Sequence, residues 1–189
     1  MKRLKLFWLP LLFLALIFYG CGGNASGGEE SDTWSNISSL DQANGTWKGS
    51  FSKPQTFRQW IEDAGGIWDE EQEIFGNMNV RVDIELITTI SASAKTQSGT
   101  EKATMTFSGG KINDAWPLLK ASFSGSGVTT NDANHSVTYT EDFSRSITES
   151  DLDLVQINQN GTKLRIPMEE TGLTASGFNR SDYLILTKQ

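Results

Sequence analysis

From Gly45 onwards, apolar and polar residues alternate with a period of two. The clearest case runs from Val80 to Leu86, where apolar side chains alternate with Arg81, Asp83 and Glu85. Successive side chains of a strand point to opposite faces of the sheet, so this alternation predicts a strand with one buried face. Similar patterns predict strands over residues 45–51, 80–90, 100–107, 136–143, 151–158, 162–167 and 183–187. The chain is therefore expected to be mainly β.

Turn residues separate several of these predicted strands. Asn160-Gly161 lies between two alternating runs, which predicts a tight hairpin in which both residues adopt positive φ. Gln97 to Gly99 predicts a further turn before the strand that begins at Thr100. Between Leu154 and Val155 the apolar residues change phase, which predicts a β-bulge.

Three segments show helical spacing instead. Trp34, Ile37 and Leu40 predict either a short helix within residues 32–41 or an ordered lead-in. Residues 56–63 predict a second helix. A third helix is expected over residues 113–121, capped by Asn113 or Asp114, with Pro117 tolerable only in the first turn.

Aromatic residues are concentrated around the second predicted helix. In one interpretation, this segment packs on the sheet and buries its own apolar face. In the other, it forms a lid over a binding site or a surface that contacts a protein partner. The candidate residues for the lid or partner surface are Phe57, Trp60, Trp68 and Phe75.

The first residues resemble the leader of a bacterial lipoprotein. Lys2, Arg3 and Lys5 precede the apolar residues 6–19, and Gly20-Cys21 ends the leader. This resemblance implies cleavage before Cys21, whose thiol would then carry a diacylglycerol. The residues before Cys21 are similar to the looser lipobox of spirochaetes, because they lack the usual Leu and the usual Ala or Ser.

Two alternatives to the lipoprotein interpretation are a transmembrane helix and a secreted protein cleaved elsewhere. The apolar run is shorter than the ~20 residues that a membrane span needs, which argues against the helix.

The lipoprotein interpretation divides the chain into a signal peptide (1–20), a flexible tether rich in Gly, Ser and acids (21–43) and a folded domain (44–189).

Composition narrows the functional classes. The net charge of −7 makes nucleic acid an unexpected partner, so we expect membrane attachment through acyl chains and not through basic patches. With Cys21 as the only cysteine, no internal disulfide can form. The residue after Cys21 is Gly22 and not the Asp that retains some bacterial lipoproteins in the inner membrane. This favours the outer membrane of the cell envelope.

The chemistry of the chain gives no sign of an enzyme. His135 is the only histidine and lies in a polar turn, which excludes a triad or a multi-histidine metal site. Glu149, Asp151 and Asp153 could present carboxylates to a hard cation, but a solvated strand face is the favoured interpretation because no calcium-loop glycine accompanies them. No Gly-x-Ser-x-Gly elbow or phosphate-binding loop occurs. We therefore expect neither catalysis nor a cofactor.

The motif Gly45-Thr46-Trp47 at the start of the first strand resembles the G-x-W motif of lipocalin-like (calycin) proteins. The resemblance covers roughly residues 44–189 and implies an antiparallel up-and-down barrel, closed or nearly closed, with one or two short helices. It also implies that Trp47 plugs one end and that a basic side chain from the last strands, Arg165 or Lys188, lies over it.

In function, the resemblance implies binding and not catalysis. We expect a lipid-anchored envelope protein that holds a small apolar ligand, or a solid-core surface protein that contacts a protein partner. The expected interior residues, which line a ligand site or form the core, are Trp47, Val82, Ile84, Leu86, Met105 and Phe107.

Overall fold

The structure is a computed structural model that describes residues 32–63, 68, 74–167 and 183–189. The predicted leader, Cys21 and residues 22–31 of the predicted tether lie outside the described residues. Lipid attachment at Cys21 therefore stays a prediction.

The described residues form nine antiparallel strands in one sheet, ordered β1-β7-β8-β9-β2-β3-β4-β6-β5. The strands are β1 (Trp34–Asn36), β2 (Gly45–Thr56), β3 (Met78–Ser91), β4 (Thr96–Gly109), β5 (Val128–Asn131), β6 (Ser136–Ser146), β7 (Gln156–Asn158), β8 (Lys163–Pro167) and β9 (Tyr183–Lys188). The helices are α1 (Leu40–Ala43), α2 (Phe57–Asp63) and α3 (Ile112–Ser122), and a 3₁₀-helix spans Glu149–Leu152. The mainly β, antiparallel prediction is confirmed.

The sheet is not closed, unlike a complete barrel. The last strand, β9, pairs with β2. The strands β7-β8-β9 on one side of this pair and β2-β3-β4 on the other run as meanders, whereas β5 lies outside β6 at one edge and β1 lies outside β7 at the other. However, β6 and β7 follow each other in the chain and are not neighbours in the sheet. Between them lies the 3₁₀-helix, whose Leu152 is buried, so the chain leaves the sheet at this point.

That 3₁₀-helix replaces the first half of the strand predicted over residues 151–158. Thr148 and Asp151 form a capping box, in which the Asp151 carboxylate accepts hydrogen bonds from the Thr148 backbone and hydroxyl, each at 2.7 Å. This local pairing favours the helical turn. The prediction of a β-bulge and that of aligned strand carboxylates are wrong, because β7 begins only at Gln156.

The turn predicted at Gln97 to Gly99 is also wrong. Strand β4 already begins at Thr96, and residues 92–95 make the turn, with Lys95 at φ 51°. Gly99 pairs with Thr88 in the sheet, where a Cβ would lie 2.1 Å from the Ile87 carbonyl oxygen. Glycine here permits close backbone approach inside a strand.

The hairpin at Asn160-Gly161 is confirmed, but its geometry differs from the expected tight turn. Only Gly161 has positive φ, at 66°, because the loop spans residues 159–162 and is longer than a two-residue turn. The Asn158 side-chain oxygen closes this loop by accepting hydrogen bonds from the backbone of Thr162 and Lys163 at 2.9 and 3.0 Å.

The second predicted helix is confirmed as α2. Helix α3 begins at Ile112 with Lys111 as its N-cap residue, so the predicted cap is wrong and Pro117 falls in the second turn, not the first. Residues 32–41 are not one helix. The alternative of an ordered lead-in is correct, because β1 pairs with β7 and Leu40 and Ala43 are buried. Residues 34–36 and 40–43 of the predicted tether therefore belong to the folded part of the chain.

The core lies on one face of the sheet, which we call the inner face. It is built from alternate residues of the long strands, as the period-two pattern predicts. Its most buried side chains, each less than 2% exposed, include Trp47, Met78, Val80, Ile84, Phe107, Val137, Leu164, Leu184 and Leu186.

Candidate functional site

The inner face brings together the six residues that the sequence assigns to an interior. Val82 pairs with Met105 across β3 and β4, and Ile84 lies one pair further along the same face. Trp47, Val82, Ile84, Met105 and Phe107 are all buried, whereas Leu86 is partly exposed. These residues thus form a continuous apolar surface that runs between the two ends of the long strands.

At one end of this surface, which we call the Trp47 end, Trp47 is fully buried and anchored. Its indole Nε1 donates a hydrogen bond of 2.7 Å to the carbonyl oxygen of Ala43, at the end of α1. Asn44 extends this anchor, because its side-chain oxygen accepts a hydrogen bond from the Ala92 backbone in the neighbouring turn. The ring is therefore fixed by the lead-in that the chain makes before β2.

Lys188 lies over the Trp47 ring, with its ammonium nitrogen 5.2 Å from the ring centroid. This is cation–π distance. Gly45 makes room for the contact, since a Cβ at that position would lie 2.9 Å from Lys188 Cε, and its φ of 128° is one that other residues rarely adopt. The contact expected from the G-x-W resemblance is thus made by Lys188.

Arg165, the other candidate for that contact, is used elsewhere. Its guanidinium carbon lies 4.8 Å from the ring centroids of both Trp34 and Tyr183. Its Nε also donates a 2.6 Å hydrogen bond to Gln156 Oε1. Arg165 therefore ties β1, β7 and β9 to β8 on the side of the sheet that leads to β1.

The opposite end of the inner face, which we call the aromatic end, is closed by rings from α2, α3 and β4. Phe107 is central, with its ring centroid 6.0 to 6.3 Å from those of Phe57, Trp60, Trp116 and Phe123. Phe57 also contacts further rings of its own segment, at 5.4, 6.3 and 5.1 Å from Trp60, Trp68 and Phe75 respectively. Such tilted, edge-on and stacked contacts stabilise beyond simple burial.

The candidate lid or partner residues are part of this cluster. Phe57, Trp60 and Phe75 are 4%, 5% and 4% exposed, and Trp68 is partly exposed. The arrangement fits the interpretation in which the segment packs on the sheet. The three buried rings do not form an exposed surface for a protein partner. A lid role stays a prediction.

His135 adjoins the same end. It occupies the turn between β5 and β6, as predicted, with φ of 50°, and its ring meets Trp116 edge-on at 5.4 Å. Trp116 Nε1 donates to Asp132 Oδ1 at 2.8 Å, and Lys120 pairs with the same carboxylate at 2.7 Å. The Lys120 and Trp116 hydrogen bonds hold the pKa of Asp132 below its ordinary value.

Polar side chains interrupt the inner face near the Trp47 end. Arg145 donates two hydrogen bonds to Gln97 Oε1, at 3.0 and 2.7 Å, and Gln97 Nε2 donates to Thr88 Oγ1 at 3.1 Å. Burial lowers the pKa of Arg145. These three hydrogen-bonded side chains are not among the predicted interior residues, although Gln97 is in phase with the apolar residues of its strand.

Between the two ends, two carboxylates face each other in register. Glu101 of β4 pairs with Glu141 of β6, and Tyr139 donates a hydrogen bond to Glu141 Oε2. Burial and the neighbouring Glu141 raise the pKa of Glu101. Burial and the bond to Glu141 raise the pKa of Tyr139 to about 12. The inner face therefore offers apolar contacts along its length and hydrogen-bonding groups at intervals.

The described residues contain neither a metal-binding cluster nor a helix that could cross a membrane. In residues 32–63, 68, 74–167 and 183–189, no group of three or more His, Cys, Asp or Glu side chains is arranged to hold a metal ion. The helices found in that part of the chain are too short or too polar to cross a membrane.

Comparison with known proteins gave no match: no family model matches the chain, and no match was found among curated proteins or solved structures. The inner face and the sequence motifs are therefore the features from which a function can be inferred.

Proposed function

We propose that the protein is a lipid-anchored bacterial envelope protein whose lipocalin-like β domain binds a small apolar ligand on its inner face. The observation that carries this proposal is the joint arrangement of Gly45, Trp47 and Lys188, with the basic side chain from the last strand over the buried ring. Pairing of β9 with β2 joins the two meanders β7-β8-β9 and β2-β3-β4, and this arrangement supports a lipocalin-like domain.

The composition of the inner face supports binding of an apolar molecule. Ligand sites are mostly apolar, with a small number of polar groups that set orientation. The surface from Val82 to Phe107 supplies the apolar part, and Gln97, Glu101 and Tyr139 supply polar groups on β4 and β6. A solid core with a surface interaction role is the alternative, and the binding experiment separates the two.

That experiment is native mass spectrometry of the full chain, extracted gently from cell membranes in mild detergent. We expect an added mass that is released on denaturation. A matched pair of variants then locates the site: Ala103→Leu adds volume to the inner face opposite Ile84, whereas Lys102→Leu alters an exposed position on the same strand.

Ala103→Leu should lose the added mass without losing thermal stability, because the new side chain fills ligand space. Lys102→Leu should retain it. A bare mass in the wild type, together with a destabilised Ala103→Leu variant, would show a solid core and contradict the binding proposal.

The proposed anchor is tested separately with Cys21→Ser. If the leader is that of a lipoprotein, this substitution removes the acyl chain, and the protein should move from the membrane fraction to the aqueous fraction of a detergent phase separation. A variant that stays acylated or membrane-bound would contradict the anchor and the proposed envelope location, with the outer membrane favoured over the inner.

A further inference from the structure

Trp60 carries a buried hydrogen-bond donor that lacks an acceptor among the described residues. The side chain is 5% exposed, and its Nε1 has no hydrogen-bond partner there. The two other buried tryptophans of the described ranges differ, since Trp47 donates to Ala43 and Trp116 donates to Asp132. A buried N–H without an acceptor is destabilising, and folded proteins satisfy nearly all such groups.

The contacts of Trp60 restrict what the missing acceptor can be. Among the described residues, the Trp60 ring contacts the rings of Phe57 and Phe107, with centroid distances of 5.4 and 6.3 Å. Arg58, on the same helix, is exposed and pairs with Glu62 at 2.8 Å. An anionic ligand group at Trp60 would therefore be buried among rings without a countercharge from α2, which is strongly unfavourable.

A neutral carbonyl oxygen avoids this cost, because it needs a single donor and brings no charge. We propose that Trp60 Nε1–H binds the carbonyl oxygen of an uncharged, otherwise apolar ligand held at the aromatic end of the inner face. This inference rests on the proposed function and names the class of ligand: apolar ketones, esters and similar carbonyl compounds.

The test uses the full chain in mild detergent, labelled with ¹⁵N-tryptophan, and three probes: 2-undecanone, undecane and decanoate. We expect 2-undecanone to shift the Trp60 Nε1–H resonance downfield and to slow its exchange with solvent. Undecane should bind without either effect. Decanoate should bind more weakly than the ketone, because its charge must be desolvated.

Trp60→Phe keeps an aromatic ring and removes the donor. We expect about tenfold weaker binding of 2-undecanone, which corresponds to one hydrogen bond of about 1.4 kcal/mol, with unchanged binding of undecane. Trp34→Phe is the matched control, because Trp34 lies on the edge strand β1 beside Arg165 and is not part of the aromatic end, so it should leave the ketone affinity unchanged.

The outcomes separate this inference from the proposed function. If undecane and 2-undecanone bind equally to the wild type and to Trp60→Phe, the Trp60 inference is wrong and ligand binding stands. Tighter binding of decanoate than of the ketone would overturn the uncharged class. If no probe binds the wild type, both proposals fail. Should Trp60→Phe not fold, the resonance shift and exchange rate of wild-type Trp60 decide the question alone.

Discussion

The two ends of the inner face bury tryptophan in different ways. At the Trp47 end, the indole N–H has an acceptor, a cation covers the ring, and backbone segments approach closely. At the aromatic end, rings from α2 and α3 and the ring of Phe123 pack around Phe107, and Trp60 keeps an unused donor. Directional contacts fix the first end, whereas adaptable side-chain packing forms the second.

This difference indicates where a ligand could be accommodated. A hydrogen-bonded ring under a cation can move only by breaking those contacts, so the Trp47 end acts as a fixed base. Rings in van der Waals contact can repack with smaller losses. We therefore place the adaptable part of the proposed site at the aromatic end, and the following substitutions test that contrast.

The largest effect is expected from Phe107→Ala. Phe107 is 1% exposed and touches four other rings, so its removal should lower the free energy of unfolding by about 3–5 kcal/mol. Urea denaturation monitored by fluorescence measures this loss. Leu118→Ala, at a position that is 53% exposed, is the control and should change stability by less than about 0.5 kcal/mol. A loss below 1 kcal/mol at Phe107 would mean that the aromatic end is not packed as described.

At the Trp47 end, close backbone approach should make Gly49→Ala destabilising. A Cβ at Gly49 would lie 2.1 Å from the Ile185 carbonyl oxygen, so β2 and β9 would have to separate. We expect a loss of about 1–3 kcal/mol in the same denaturation experiment. Ser50→Ala, at the next and exposed position, should be nearly neutral. Equal stability of both variants would show that this end is as adaptable as the other.

The sequence predicts the inner face well because alternation is a local signal. Val82 and Met105 follow it on neighbouring strands, and sheet pairing then places them together. The resemblance of the G-x-W motif to lipocalin-like proteins implies the contact to Trp47 and leaves the choice between Arg165 and Lys188 to the structure. Register decides that choice, because Lys188 pairs directly with Trp47.

Other features could not be predicted, because they depend on side-chain hydrogen bonds or on distant pairing. The capping box at Thr148 and Asp151 outweighs an alternating pattern, so a helical turn replaces a strand. Glycine is typical of turns, but Gly99 lies inside a strand and allows the backbone of Ile87 to approach closely. The missing acceptor at Trp60 is a property of three-dimensional packing alone, and no periodicity indicates it.

The cation over Trp47 should contribute a smaller amount. Lys188→Met keeps most of the apolar stem and removes the charge, which should cost about 0.5–1 kcal/mol, the value for a cation–π contact with an exposed cation. Lys48→Met is the control, because Lys48 is exposed and has no described ring contact. Unfolding in urea at low salt compares the two. If both variants lose the same free energy of unfolding, the effect comes from the change in net charge and not from the contact with the Trp47 ring.

The smallest effect is expected between the two ends, at Glu101. Its pKa in the folded protein is raised above the ordinary 4.5 by burial and by Glu141, so the folded state binds this proton more readily than the unfolded state does. Stability contributed by Glu101 therefore decreases as pH rises from 4.5 through the raised value, and the full penalty is present above that value. Glu101→Gln removes it.

We expect Glu101→Gln to stabilise the protein at pH 7 by roughly 0.2–1 kcal/mol, the range for like charges opposed across strands. The gain should fade as pH falls through the raised pKa towards 4.5. Thermal unfolding across that range measures it, and Glu85→Gln, an exposed carboxylate that pairs weakly with Lys102 at 4.0 Å, should show no such gain. If Glu101→Gln instead lowers stability at pH 7, the Glu101 carboxylate accepts a favourable contact when ionised. The middle of the inner face would then resemble the fixed Trp47 end more than the adaptable aromatic end.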